Sequence, residues 1–458
     1  MSQRKAIWGW FFYDWAAQPF HTLLMTFIFG PYFAIVASQY YMGLGQDETL
    51  ADANAQIIWS NCLSITGLII GFGGPIIGAI ADTTGTRLRW IWGFSIIYFV
   101  TAFALWYTYP DGSNMWLMLS VFGICFIMAE YTYIFTNAQL PALGSAQDIG
   151  KISGSGFGFG YVGGVLSLLV MLLLFVEQDN GKTMILNLDP LFGLDAEQKE
   201  GTRFVGPFVA VWFAIFMIPY FMWMREDPSI RRKINIAEGI SNLWASVVSL
   251  PAKKSLFAYL GSSMFYRDAL NGLYTFGGTY AVLVLNWSVI KLGQFGIIAA
   301  ISAALFSWLG GYWDRRFGPK PVIVVTTVIL TGVCFVIVNT SLTHVFGVAV
   351  AEGSNLPDLV FYTCGVFIGG MGGTLQSASR SMMVRHTSPE RATEGFGLYA
   401  LSGRATAFLA PTLIGIVTAI SGDARIGISP LVALFIIGLI LLLWVNPKGE
   451  TETWDTTE

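Results

Sequence analysis

The chain has 458 residues, 54% of them apolar and 12% charged, with a net charge of −3. That charged share is about half the usual one and cannot cover a soluble fold of this size, while so apolar a chain is not disordered. The small net charge offers nothing to nucleic acid, and apolar runs of about 20 residues, in place of ten-residue alternations, point to an all-α polytopic membrane protein and away from a β-barrel.

In chain order the apolar segments are 7–38, 56–81, 90–109, 115–139, 153–176, 204–224, 257–285, 293–313, 321–342, 358–380, 394–420 and 428–446. Each can cross a hydrocarbon core of about 30 Å, so twelve transmembrane helices are expected. The first follows Arg4 and Lys5 and lacks a small-residue cleavage site, so it reads as a span and not as a signal peptide. Pro19 predicts a kink in it. Cys62, Cys125, Cys334 and Cys364 lie singly in apolar runs, with no metal or disulfide spacing.

With the N-terminus placed in the cytoplasm, the cytoplasmic segments hold about 18 of the 25 basic residues, which assigns both termini to the inside. The connection 225–256 is basic and has no apolar span; Ile234 to Val248 within it is expected to form an amphipathic helix on the membrane surface. The expected organisation is a six-helix half at 1–224, a cytoplasmic linker at 225–256 and a second half at 257–458 ending in a short polar tail.

The halves resemble each other. GAIADTTG (78–85) follows the second span and GGYWDRRFG (310–318) the eighth. GFGFGY (156–161) opens the fifth span and GFGLY (395–399) the eleventh; FYD (12–14) in the first matches YRD (266–268) in the seventh. Such repeats are typical of secondary transporters, which bind solute near the midplane between repeats.

With these motifs in view, the chain resembles the major facilitator superfamily over its whole length. Gly78, Asp82, Gly85 and Arg87 match its G-x-x-x-D-x-x-G loop, as do Gly310, Asp314, Arg315, Gly318 and Lys320 in the second half, where the spacing is one residue longer. FYDWAAQPF (12–20), QLPAL (139–143), YRDALNGLYT (266–275) and QSASRSMMV (376–384) narrow this. Together they look like the group of autophagy-related vacuolar amino-acid effluxers and their bacterial relatives. The resemblance implies two six-helix halves, solute export and a cavity lined by spans one, four, seven and ten. It also implies that the Asp82 carboxylate meets the N-terminus of span eleven when the cytoplasmic side is closed. Arg267 departs from the group, which more often has a neutral polar residue there.

A charge in the hydrocarbon costs about 2.5–3.5 kcal/mol on insertion scales and marks a candidate site. The charges in question are Asp14, Glu130, Arg267, Asp268 and Arg404. Helical spacing extends them into stripes: Asp14, Gln18 and His21; Glu130, Tyr133 and Asn137; Asp268, Asn271 and Thr275. Gln376 and Arg380 share a face at the end of span ten. These stripes read either as a wet cavity or as pairs that fix helix packing. Gly78, Asp82, Gly85, Arg87, Asp314, Arg315, Gly318, Arg380 and Arg404 are the candidate gating residues.

No strand precedes the glycine-rich stretch 154–164, so it is not a phosphate loop; no nucleotide or other cofactor is expected, and no enzyme cluster such as H-E-x-x-H occurs. The expected activity is secondary transport of a small amino-acid-like zwitterion or anion, export favoured, with protons as coupling ion. A lipid or amphipathic-drug transporter, or a non-transporting scaffold on the same fold, stays open. The expected partners are a small-molecule solute, protons and membrane lipids, and the chain is expected to function as a monomer in the bacterial cytoplasmic membrane.

Overall fold

A computed structural model describes residues 2–84, 86–178, 180–226, 235–285, 287, 289–351 and 353–449. It is all-α apart from a hairpin of two-residue strands, β1 (His344–Val345) and β2 (Val348–Ala349), paired antiparallel with His344 opposite Ala349. Among the described residues, eleven helical segments are long and apolar enough to cross a membrane. The helix at the seventh expected span, α10 (Lys254–Leu285), has the length but falls outside that set, because Ser262, Ser263, Arg267, Asp268 and Asn271 dilute its apolar character.

The helices form two compact units that interleave along the chain. One holds Met1–Gly73, Thr86–Thr136 and Phe159–Arg231; the other holds Gly74–Gly85, Asn137–Gly158 and Arg232–Glu458.

The first unit opens with α1 (Gln3–Pro19), a π-helix (Phe20–Phe27) and α2 (Phe29–Gly43). The sequence suggests a simple kink at Pro19, but the backbone widens into the π-helix there and leaves helical angles at Ile28 (φ −124°, ψ −67°). Pro31, in the first turn of α2, supplies the reason: it has no N–H for the carbonyl of Phe27, and its ring crowds that carbonyl. The unit continues with α3 (Glu48–Thr84) as far as Gly73, α4 (Arg87–Ala104), α5 (Met115–Asn137) as far as Thr136, α6 (Ile149–Leu174) from Phe159, the short α7 (Glu200–Arg203) and α8 (Val205–Trp223). Its core is aromatic. Phe122 stacks on Phe20 and Phe29 at ring distances of 6.1 and 5.5 Å, and the Trp10 indole donates to the Thr136 carbonyl at 3.0 Å. Such pairs add about 0.5–1.5 kcal/mol each beyond area burial.

The second unit contains the ends of α3, α5 and α6 with α9 (Ile236–Ser249), α10, α11 (Val289–Phe317), α12 (Pro319–Val338) and α13 (Leu356–Val384). It ends with α14 (Ala392–Ala405), α15 (Leu409–Ser421), the short α16 (Ala424–Gly427) and α17 (Pro430–Leu442). The run 394–420, expected as one helix, is broken: Thr406–Phe408 form turns between α14 and α15. Pro411 contributes to the stop, since it cannot donate to the Ala407 carbonyl and its ring crowds it. Glycines pack α13 onto α11. A Cβ on Gly365 would meet the Phe295 ring, and one on Gly369 would enter the Ala299 backbone.

Gly369→Leu should therefore lower stability by about 1–3 kcal/mol or more, as overpacking does. Gly415→Ala, where nothing lies within 4 Å of the added carbon, should stay within about 0.5 kcal/mol of wild type. Thermal unfolding of the purified protein in detergent reads both.

Candidate transport site and gate

Three clusters of buried and half-buried polar side chains lie within or at the ends of the long helices, and each has a local cause. In the first unit, Asp14 and Gln18 lie one turn apart on α1 and face glycines of α6. A Cβ on Gly160 would stand 3.2 Å from that of Asp14, and one on Gly164 would stand 2.8 Å from Gln18 Cγ. Tyr13, beside Asp14, is within electrostatic range of Glu130 and Tyr133 of α5, and its ring lies 6.1 Å from that of Tyr220 of α8. Asp14, Glu130 and Tyr133 thus all act electrostatically on Tyr13. His21 is exposed, and its carbonyl accepts from the Thr26 hydroxyl at 2.8 Å within the widened π-turn.

In the second unit, the neighbours Arg267 and Asp268 point apart, as adjacent helix residues must. Arg267 donates to the Tyr399 carbonyl at 2.9 Å, and its guanidinium lies 4.2 Å from the centre of the Tyr399 ring. Gly403 makes room for it on α14. Asp268 is buried and accepts from the Ala410 N–H at 2.9 Å, so it caps the start of α15. The cation thus sits on the last turns of one half-helix and the anion at the first turn of the next, the polarity that helix dipoles favour. Arg404 lies half-buried in the last turn of α14. Asn271 and Thr275 are exposed, so the stripe with Asp268 divides.

The third cluster is also in the second unit. The Asp82 carboxylate accepts from the Glu394 N–H, the third residue of α14, at 2.9 Å. Gly78 permits this approach, because a Cβ there would stand 2.7 Å from the Thr393 carbonyl oxygen; Gly397 in turn lies on Pro75. Arg380 is fully buried. Its Nε and Nη2 donate to the Ser153 hydroxyl and carbonyl at 3.0 and 2.9 Å, and Nη1 donates to Asn137 Oδ1 at 3.0 Å. The guanidinium also covers Phe157 at 4.3 Å. Asn137, grouped by spacing with Glu130, is therefore engaged by Arg380 at the end of α5. Gln376 is half-buried one turn earlier on α13.

Asp314 is buried against Gly150 at the start of α6, and neither carboxylate oxygen has a hydrogen-bond partner among the described residues. Burial draws the nearby Arg385 below its ordinary pKa, and the Asp314 charge opposes this. Arg315 pairs with Asp148 at 3.1 Å, both partly exposed. Gly318 takes φ +84° before α12, a value that favours glycine. Arg87 begins α4 half-buried, and Gly85 lies outside the described residues. Sequence reasoning passed over Ser153, Tyr399 and Glu394. The first two lie within or beside the glycine-rich runs, where polar residues with a glycine within two positions were the available signal.

This fold is that of the major facilitator transporters, and its helices make the chain a multi-pass membrane protein. The structure is similar to that of human MFSD10, described as an organic anion transporter, with a TM-score of 0.65 and 16% identity over 96% of this chain and 100% of that one. It is also similar to the proton:xylose symporter XylE, with a TM-score of 0.70 and 11% identity over 96% and 94% of the two chains.

The chain belongs to the family described as Vacuole effluxer Atg22 like, whose sequence pattern matches residues 2–453. An uncharacterized MFS-type transporter, YxiO of Bacillus subtilis (strain 168), is 23% identical over 451 residues, covering 97% of this chain and 95% of that one. Autophagy-related protein 22-1 of Aspergillus fumigatus is 26% identical over 317 residues, 65% of this chain and 48% of its own length. The chain thus spans about half the length of such fungal relatives.

Asp82→Asn keeps an acceptor for the Glu394 N–H but loses the charge that favours the helix start, whereas Asp82→Ala loses both. Removal of the cap should cost about 0.5–2 kcal/mol, with Asn between Ala and wild type. Maleimide labelling of a cysteine placed at Ser377 should rise in the same order, wild type, Asn, Ala. Equal rates in all three would remove Asp82 from the gate.

Proposed function

We propose that this chain is a secondary transporter that moves a small zwitterionic or anionic organic solute by alternating access, in the export direction and coupled to protons. The observation that carries the reading is the pair Arg267 and Asp268 at the break in span eleven. A guanidinium with a planar fork, seated on an aromatic ring beside an interrupted membrane helix, suits a carboxylate-bearing solute. The cluster of Asp14, Glu130 and Tyr133 at Tyr13 supplies carboxylates that can change protonation as the cavity opens to each side. The family's description as effluxers and the organic-anion and proton-symport descriptions of the two structural relatives point the same way. The excess of Lys and Arg in alternate connections supports cytoplasmic termini, and the likeness to a Bacillus subtilis relative supports a bacterial cytoplasmic membrane.

A metabolite library screened by thermal stability finds the solute, because a ligand of the folded state raises the melting temperature by mass action. Flux of the hits in proteoliposomes then tests transport. If only lipids or amphipathic drugs stabilise and move, the zwitterion reading is wrong; if no solute moves under any gradient, the scaffold reading replaces it.

Two substitutions test the roles. Arg267→Lys keeps the charge but loses the fork, so solute affinity should fall almost as far as in Arg267→Ala; wild-type affinity would exclude a bidentate anchor. Glu130→Gln should abolish transport driven by a pH gradient yet spare solute exchange at equal pH. Loss of both together with thermal stability would make Glu130 structural, and gradient-driven transport that survives would end its assignment as proton carrier.

A further inference from the structure

Helix α9 (Ile236–Ser249) has three distinct faces. Turning about 100° per residue, Gly239 and Ser246 define one face. Ile236, Ile240, Trp244, Val247 and Val248 define a second, and Glu238, Ser241 and Ala245 a third. The first face is buried; the other two are exposed, Trp244 to 69%.

The buried face meets the gate cluster. A Cβ on Gly239 would stand 2.8 Å from Ile80 Cα, two residues before Asp82. Ser246 Oγ lies 3.5 Å from Nη1 of Arg391, the residue that precedes α14. One face of α9 therefore touches both elements joined by the bond from the Glu394 N–H to Asp82.

Among the described residues the apolar face has no protein partner to explain its composition. At 14 residues α9 is too short to cross a membrane, and a helix bathed in water does not carry five large apolar side chains in one exposed stripe. Its depth is set by its contact with α3. Ile80, which it touches, lies in the last turn of a membrane-crossing segment that ends at Thr83, so α9 packs against the end of that span. The three faces fit that corner: protein on one side, lipid on another, water over Glu238 and Ser241. Tryptophan settles at this boundary.

We propose that α9 is a lipid-seated clasp. Its apolar stripe lies in the headgroup–acyl boundary of the bilayer, and its glycine face holds the Asp82–Glu394 cap closed. The partner is the lipid interface of the bilayer, because the stripe carries no charge and Glu238, the one charge within the helix, lies on the water face. Lipid packing then acts on the opening of this end of the bundle. The inference rests on the transport reading only for the meaning of opening, and its test needs no solute, so the two can fail separately.

The full chain, with native cysteines replaced by alanine, is reconstituted in phosphatidylcholine nanodiscs with a spin label at Trp244→Cys or at Ser241→Cys. Power saturation should find the first label more accessible to oxygen than to an aqueous nickel chelate, and the second the reverse. Equal aqueous access at both would overturn the seating.

A second arm places a cysteine at Thr393, buried at the cap, and follows its labelling by a water-soluble maleimide. Ile240→Glu with Trp244→Glu should raise the rate about five-fold, the factor expected from about 1 kcal/mol of lost closure. Ile240→Leu with Trp244→Phe keeps the stripe and should label like its parent. An unchanged rate in a double-glutamate variant that still melts cooperatively would contradict the clasp. If that variant does not fold, the depth measurement alone decides.

Discussion

A helix start packed against protein exposes N–H groups that cannot turn freely to water, and span eleven starts twice. Its first half, α14, is met by Asp82, and its second half, α15, by Asp268, each accepting one backbone N–H at 2.9 Å. A packed N–H left without an acceptor costs about 1–3 kcal/mol, so these carboxylates hold the fold together as well as being candidates for function. Arg267 completes the pattern on the last turns of α14, through the Tyr399 carbonyl and ring. Much of the polar chemistry in the second unit follows from how one interrupted helix has its ends satisfied.

The glycines are the other half of that constraint. Asp82 reaches α14 because Gly78 and Gly397 let the two backbones approach, and α6 meets α11 through Gly154 and Gly311 in the same manner. Helices that touch through backbone have little side-chain interdigitation to undo, which suits elements that must separate and re-form. Arg380 supplies directed hydrogen bonds where the glycines supply proximity: three of them tie α13 to Ser153 and Asn137.

The spans were legible because hydropathy over about 20 residues depends on the membrane and little on tertiary detail. The Asp82 and Asp314 loops were legible because they repeat. The break at Thr406–Phe408 was not. Pro75 and Pro219 also lie within membrane helices, yet α3 and α8 run on past them, so a proline alone does not mark a break. What distinguishes Pro411 is a buried carboxylate more than 140 residues away in sequence that caps the new helix start. Asn137 shows a second limit. Spacing placed it on the face of Glu130 and Tyr133, but periodicity reports a face and not a depth, and at the end of α5 it is Arg380 that it meets. The stripe from Asp268 to Thr275 divides for a related reason: its faces were inferred for a straight, isolated helix, and α10 packs against two half-helices.

The central claim is that two carboxylates hold the two starts of span eleven. Hydrogen–deuterium exchange tests it directly, in peptides covering 392–396 and 409–413 of the purified protein and its Asp82→Ala and Asp268→Ala variants. The account predicts slow exchange in both peptides of the wild type, lost from the first peptide alone in Asp82→Ala and from the second alone in Asp268→Ala. Equal exchange in wild type and variants, or loss of protection across the whole chain in either, would contradict it.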